Sequence, residues 1–220
     1  MKQNRQNIKK LCATAMFCAL AFVLTYIKIP VMFLSLEIKD SMIVLCTLLF
    51  GPLSGLILAV LVPILELVTH SSTGVYGLIM NMLSSVTFSA VTGVIYKYRK
   101  SFYGAIVGLL SGVFAVTAMM VLANLLVTPY YMGVSVKEVA ALIPKVLLPF
   151  NLVKATLNGA IVLLLYKPLS RVLKRTGFLE AAPSVKDSAK ASPLRSILVT
   201  AVAEAVIVGS LAVIFFVLKK

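Results

Sequence analysis

With one histidine, seven acidic residues and three cysteines among its 220 positions, the chain is poor in the groups from which most enzymes build a reaction centre. No HExxH or comparable set of histidines and carboxylates is present, so no metal site is expected. His70, beside Ser71 and Ser72 at the end of an apolar run, reads as an interfacial polar residue rather than a catalyst. No GxxxxGK(S/T) loop exists to cradle nucleotide phosphates, which excludes ATP hydrolysis through a P-loop. Cys12, Cys18 and Cys46 lie in apolar segments without CxxC spacing and read as small buried hydrophobes. Proton-coupled transport usually leaves carboxylates at membrane depth, and only Glu66 and Glu204 qualify. Glu66, near the end of its apolar run, either reaches the interface or faces a cavity; Glu204 sits among alanines and valines with no sequence-evident partner. Without a paired acid, base or nucleophile, the chain is not expected to be an enzyme.

What the chain has in abundance is apolar sequence. At 60% hydrophobic residues and a mean hydropathy of +1.04 it is too apolar for a soluble domain. Runs of about 20 apolar residues, each long enough to cross a hydrocarbon layer of about 30 Å, recur along its length. The fold class expected is all-α: an integral membrane bundle of six transmembrane helices over residues 1–175, a basic cytoplasmic linker over 176–195, and an additional C-terminal transmembrane helix over 196–220. The first span covers about residues 9–28 and is followed by an outer loop to Ser41; no small-residue cleavage site follows it, so it is read as a helix rather than a secretory signal. Gly51-Pro52 divides the next run into a short second span at about 40–51 and a third that ends near Thr69. A second span of ~18 Å must be tilted, shielded by protein or set in thinned bilayer. Spans four, five and six are expected at about 75–96, 102–128 (ending before Pro129) and 146–166, with a short surface helix at 136–143 and an amphipathic start to the basic region at Leu169–Leu173.

The formal charge of +14 could suggest nucleic acid, but the basic residues lie in loops, so no nucleic-acid partner is expected. Lys2, Arg5, Lys9 and Lys10, then Lys97, Arg99 and Lys100, then the basic residues from Lys167 to Arg195 fall on one side. The opposite loops hold Lys28, Lys39, Lys137 and Lys145. The positive-inside rule then predicts a multi-pass protein of the cell membrane with a cytoplasmic N-terminus and a secondary attraction to anionic membrane lipid.

Polar residues inside the apolar runs are the candidate site. Asn151, Lys154 and Asn158 share one face of the sixth span by their i, i+3 and i+4 spacing, and Asn124 and Thr128 are i, i+4 on the fifth. A lysine at membrane depth costs roughly 2.5 to 3.5 kcal/mol on insertion scales and needs a polar partner or an escape to the interface. If the two spans are neighbours, these groups converge on an outward cavity rimmed by Tyr130, Tyr131 and the first loop, suited to a neutral, flat, carbonyl-rich ligand. Interhelical hydrogen bonding, with Lys154 snorkelling outward, is the other reading of the same residues. On the first span, Ala13, Ala15, Ala19 and Ala21 include a small-xxx-small step that lets another helix approach.

Four segments carry a family resemblance: the first helix with Ala15xxxAla19; Phe33-Leu34-Ser35-Leu36-Glu37-Ile38-Lys39-Asp40; Leu49-Phe50-Gly51-Pro52-Leu53-Ser54-Gly55; and Pro149-Phe150-Asn151-Leu152-Val153-Lys154. Over about residues 8–175 the chain resembles the substrate-binding (S) subunits of energy-coupling factor vitamin transporters, most closely the riboflavin-specific branch. The resemblance implies a six-helix bundle that binds the vitamin from outside, docks on a membrane coupling subunit carrying two ATPase subunits, and delivers its ligand inward. Riboflavin would be the transported ligand and no cofactor is implied. By the same resemblance Asn151 and Lys154 fall where the family hydrogen-bonds the isoalloxazine ring, Asn124 adds a contact from the fifth helix, Leu34, Leu36 and Asp40 lie in the matching first-loop segment, and Ala15 and Ala19 form the docking surface. The seventh span has no counterpart in the six-helix pattern, and Glu66 and His70 stand where a more basic or amide-rich end is expected. An S subunit for another vitamin or nucleobase-like precursor, and a stand-alone ion-coupled transporter, are the alternative functions.

Overall fold

The computed structural model describes residues 2–178 together with the isolated helical positions Ala205 and Gly209. The expected linker from residue 179 onward and the expected seventh helix, apart from those two positions, lie outside the described residues, as does Glu204. The described chain is an all-helical membrane bundle with one small hairpin: α1 (Lys2–Leu24), β1 (Lys28–Val31), β2 (Leu34–Glu37), α2 (Lys39–Phe50), α3 (Pro52–Thr69), α4 (Gly74–Tyr98), α5 (Phe102–Met132), α6 (Val136–Leu142), a π-helical turn (Ile143–Leu147) and α7 (Leu148–Arg175). Five of its helical segments are long and apolar enough to cross a membrane, the last being the continuous run Val136–Arg175.

The twelve-residue α2 is too short to span a bilayer, and its surroundings explain why it is stable there. Ten of its residues are buried, all except Met42 and Leu49. It packs against α1, α3, α4 and α7, so protein rather than lipid surrounds it. The ring of Phe50 at its end meets Phe17, in the middle portion of α1, at 5.9 Å. The turn into α3 therefore lies at membrane depth. Gly51 adopts φ +98° and ψ 165° there, a conformation that only glycine takes without strain, and Pro52 starts α3 at a position where its missing N–H costs nothing.

Two helices run further than the prolines in them suggest. α5 continues through Pro129 to Met132 and stops at Gly133, which has φ +67° and whose N–H is bonded to the Pro129 carbonyl. α7 continues through Pro168 to Arg175, burying Leu173 and packing Leu169 on the main core. The ends expected at Thr128 and Tyr166 are thus corrected. Proline removes one intrahelical bond, but neighbouring helices and local adjustment hold the rest of the helix together in a bundle. The amphipathic start expected at Leu169–Leu173 is the last part of α7 itself.

The loop between the first two spans forms a hairpin that was not expected. β1 and β2 pair antiparallel, with Lys28 opposite Glu37 and Val31 opposite Leu34, and Met32 in the two-residue turn takes φ +56°. Val31 and Leu36 pack with Phe150 and Leu157 of α7 in a second apolar cluster. That cluster anchors the hairpin on the bundle.

Small side chains set how closely the helices approach. A Cβ on Gly55 would lie 1.7 Å from the Thr47 hydroxyl and 2.6 Å from that of Ser89. Those two hydroxyls are bonded to each other at 2.6 Å, Thr47 also donates to the Ile43 carbonyl at 3.0 Å, and the added Cβ would lie 2.8 Å from the Thr47 Cβ, a clash that turning the side chain does not relieve. Gly55→Ala is expected to destabilise the bundle by about 1–3 kcal/mol through overpacking. Gly159→Ala, whose Cβ would meet only ordinary contacts at 3.7 and 3.9 Å, is expected to be neutral or mildly stabilising. Thermal unfolding of the two variants in detergent measures the contrast.

Candidate functional site

Towards the end of the bundle that carries the hairpin, a cavity opens between β1–β2, the α3–α4 connection and the facing sides of α5 and α7. The space between its lining atoms is about 740 Å³, counting the open mouth. α5 and α7 are direct neighbours, as the sequence argument required. Asn124 and Thr128 from α5, Asn151 and Lys154 from α7 and Leu34 from β2 all line this one space.

Each of those polar groups is held before any ligand arrives. Asn124 donates to the Met120 carbonyl at 2.7 Å and accepts from the Thr128 hydroxyl at 2.8 Å. Asn151 donates to the Leu147 carbonyl at 2.7 Å, at the junction where the π-helical turn passes into α7. One amide N–H of each asparagine is thereby used, and the second is available. Lys154 is half-buried, and its ammonium donates to the Ser35 carbonyl of β2 at 3.4 Å. Among the described residues no carboxylate lies within 4.0 Å of it. Snorkelling into lipid is excluded for this side chain, because it points into the cavity and towards the hairpin.

Three residues placed in the site from sequence do not line the cavity. Leu36 is buried beneath the hairpin in the cluster with Phe150 and Leu157. Asp40, in the first turn of α2, accepts from the Ser85 hydroxyl at 2.5 Å and from that of Ser84 at 3.4 Å, which ties α2 to α4. Asn158 is 1% exposed and acts as a clamp. Its side-chain oxygen accepts from the Ser41 N–H at 2.8 Å and its amide donates to the carbonyls of Glu37 and Lys154, both at 2.9 Å. Ile38 precedes α2 and offers no side-chain cap, so Asn158, reaching across from α7, supplies an acceptor for an N–H at the start of that helix. The stripe of α7 is therefore divided: Asn151 and Lys154 face the cavity, while Asn158 fastens the strand-to-helix connection behind it. Tyr131 lines the mouth, its ring edge-on to Tyr76 at 5.9 Å, whereas Tyr130 is exposed and lies outside.

The larger omission of the sequence reading is a charged wall. Lys28, Glu37 and Glu66 line the cavity, and Lys39, fully buried, stands behind them. Lys28 is bonded to Glu66 and lies 3.5 Å from Glu37; Lys39 is bonded to Glu37 and lies 3.4 Å from Glu66. Asn81 of α4 donates to the other Glu66 oxygen at 3.1 Å, and the Ser35 hydroxyl donates to Glu37 at 3.3 Å. Two cations and two anions thus form a neutral, hydrogen-bonded group. Of the two roles open to Glu66, this places it at a cavity rather than at the lipid interface. Lys39, counted among the solvated loop charges, is corrected to an internal one. A signal for part of this wall was present in the sequence: Asn81 is an amide inside an apolar helix, and such residues usually face protein or water.

Where the C-terminal ends of α1 and α3 meet, His70 accounts for itself without the cavity. Its ring stacks on Tyr26 with centroids 4.0 Å apart and is bonded to the hydroxyls of Thr25 and Thr69 at 3.1 and 2.9 Å. Ala15 and Ala19 are exposed on α1, along with Leu11, Met16 and Leu20. Cys18 and Cys46 are buried and Cys12 is exposed.

Residues 9–169 match the family model described as the substrate-specific component of ECF transporters. The chain belongs to that family. It is therefore a multi-pass membrane protein of a transport system and not a catalytic enzyme. It is 32% identical over 184 residues to the riboflavin transporter RibU of Staphylococcus aureus (strain TCH60), which covers 79% of this chain and 97% of that protein. It is 27% identical over 161 residues to the riboflavin transporter FmnP of Bacillus subtilis (strain 168), covering 67% of this chain and 85% of that one. The solved structure of the S component of a bacterial ECF transporter superimposes with a TM-score of 0.65 at 31% identity, over 79% of this chain and 99% of its own.

The clamp role of Asn158 has a direct test. Asn158→Leu takes its donor from the Glu37 carbonyl, a buried group costing about 1–3 kcal/mol if left unpaired, and leaves the Ser41 N–H with only its 3.2 Å bond to the Ile38 carbonyl. A lower unfolding temperature is expected, together with faster hydrogen exchange at the Ser41 amide.

Proposed function

We propose that this protein captures riboflavin from the outer face of the cell membrane and hands it inward as the substrate-binding subunit of an ECF transporter. The observation that carries the reading is the convergence of the Asn124 and Asn151 amides and the Lys154 ammonium on one cavity. The names of the relatives point the same way. A flat, carbonyl-rich ring system needs donors along its edge and apolar surface against its faces. The spare N–H groups of Asn151 and Asn124 and the Lys154 ammonium supply the donors. Phe33 from the hairpin turn, Tyr76, Tyr131 and Phe150 supply ring surface around the same space. A positive donor is suited to carbonyl oxygens and ring nitrogens that carry partial negative charge, and in a low-dielectric site that attraction is strong.

The cytoplasmic N-terminus belongs to this reading. Lys9 at the start of α1 donates to the Gly177 carbonyl just after α7 at 3.0 Å, so the first and last described segments share one end of the bundle. Lys97, Arg99 and Lys100 lie at the α4–α5 turn, and the positive-inside rule assigns such an end to the cytoplasm. The cavity then opens outward. Energy comes from the membrane coupling subunit and the two ATPase subunits of an ECF module, which this chain meets through the exposed small-residue face of Ala15 and Ala19 on α1.

The absorbance spectrum of the protein purified in detergent tests the ligand: bound flavin is yellow, and the colour is expected to disappear on denaturation and washing. A colourless protein that takes up no added flavin would point to a different vitamin. Lys154→Ala is expected to weaken riboflavin binding about 10- to 100-fold, the scale of a lost hydrogen bond to a charged group, while leaving the bundle folded because an inserted charge has been removed. Unchanged affinity in that variant would refute the role given to Lys154.

A further inference from the structure

Resting on the riboflavin reading, we infer that Glu66 is a specificity-determining residue: it keeps the cavity's second cation, Lys28, neutralised, so that the site takes an uncharged polyol chain and rejects the same ligand carrying a terminal phosphate. Riboflavin joins a flat ring to a flexible chain of hydroxyl groups. Once the α5 and α7 donors are assigned to the ring, the polar surface left in the cavity is mainly the wall of Lys28, Glu37, Glu66 and Asn81, with Ser72 and Thr73 at the start of α4. That wall mixes donors and acceptors, which is what a hydroxyl needs, since each both gives and receives a hydrogen bond.

A phosphate monoester is a different object. It carries about two negative charges near neutral pH and only accepts, so its sites present unpaired cations and N–H donors. Here the wall offers the opposite balance. Lys28 is bonded to Glu66 and lies 3.5 Å from Glu37. The remaining internal cation, Lys39, is fully buried behind the lining and also paired with both carboxylates. Asn81 gives one of its two amide N–H groups to Glu66 at 3.1 Å, which leaves a single neutral N–H there for an incoming group. A phosphate brought to this wall meets the Glu66 carboxylate before it can recruit Lys28, and because Glu66 is itself buried that repulsion is less screened than between surface charges. Lys154 does not relieve it, because it serves the ring and is tied to the hairpin through the Ser35 carbonyl.

The test compares the affinities of riboflavin and its terminal phosphate monoester, measured by quenching of flavin fluorescence on full-length protein stripped of ligand. Glu66→Gln leaves Lys28 with Glu37 alone, a carboxylate it must share with Lys39, so the wall gains a net positive charge; it is expected to shift the ratio of the two affinities about tenfold or more towards the phosphate ester. Lys28→Met, on the partly exposed hairpin, leaves Glu66 without that partner and is expected to shift the ratio the other way. The double variant, neutral again, is expected to return close to the wild-type ratio. Should Glu66→Gln fail to fold, Lys28→Met alone decides. Single variants that bind riboflavin with a ratio within about twofold of wild type would overturn the role of Glu66 while leaving the riboflavin reading intact. A wild-type protein that binds neither flavin would instead sink the riboflavin reading, and this inference with it.

Discussion

An ammonium group with no access to water cannot persist inside a membrane protein unless opposite charge is held against it, and Lys39 is such a group. Its counter-charges arrive from two different places in the chain. Glu37 is its near neighbour at the end of the hairpin, whereas Glu66 comes from the far end of α3. Lys28, from the first strand, completes the balance. Because the group is neutral only when the hairpin, α2 and α3 are all in place, the electrostatics couple the hairpin to the helices. Removing any one member leaves a buried charge uncompensated, which is far costlier than losing a surface ion pair.

The same region shows how polar groups in an apolar bundle divide between those spent on packing and those left facing the cavity. Asn158, Asp40 and Thr47 are spent on backbone or side-chain partners in neighbouring helices, and their bonds define how α2 is seated. Asn124 and Asn151 are anchored to carbonyls of their own helices, which fixes their orientation and leaves capacity over. Lys154 lies between these classes, since it both faces the cavity and reaches the hairpin. A cavity with pre-oriented donors loses little freedom when a ligand enters, which favours tight capture.

The short α2 makes this arrangement possible. Being sheathed by α1, α3, α4 and α7, it tolerates a length well below the membrane thickness and places its N-terminal residues, Lys39, Asp40 and Ser41, inside the protein rather than at the lipid surface. Close approach at Gly55 and the glycine-only turn at Gly51 let α3 fold back against it.

Read along the chain, recurring long apolar runs pointed to a helical membrane bundle, because no other structure satisfies every backbone group from within a single segment in lipid. The break at Gly51-Pro52, the short helix after Gly133 and the polar face of Asn151 and Lys154 were equally local, since spacing along one helix fixes which side chains share a side. Other features depended on elements distant in sequence. Nothing near Asn158 announces that it caps a helix more than a hundred residues earlier, and nothing near Lys39 announces Glu66. Pro129 and Pro168 read as stops because local chemistry disfavours helix there, and packing overrode it. Periodicity and composition act through neighbours in the chain and so determined the elements and their faces; which faces met, and which charges were neutralised, was decided only when the helices came together.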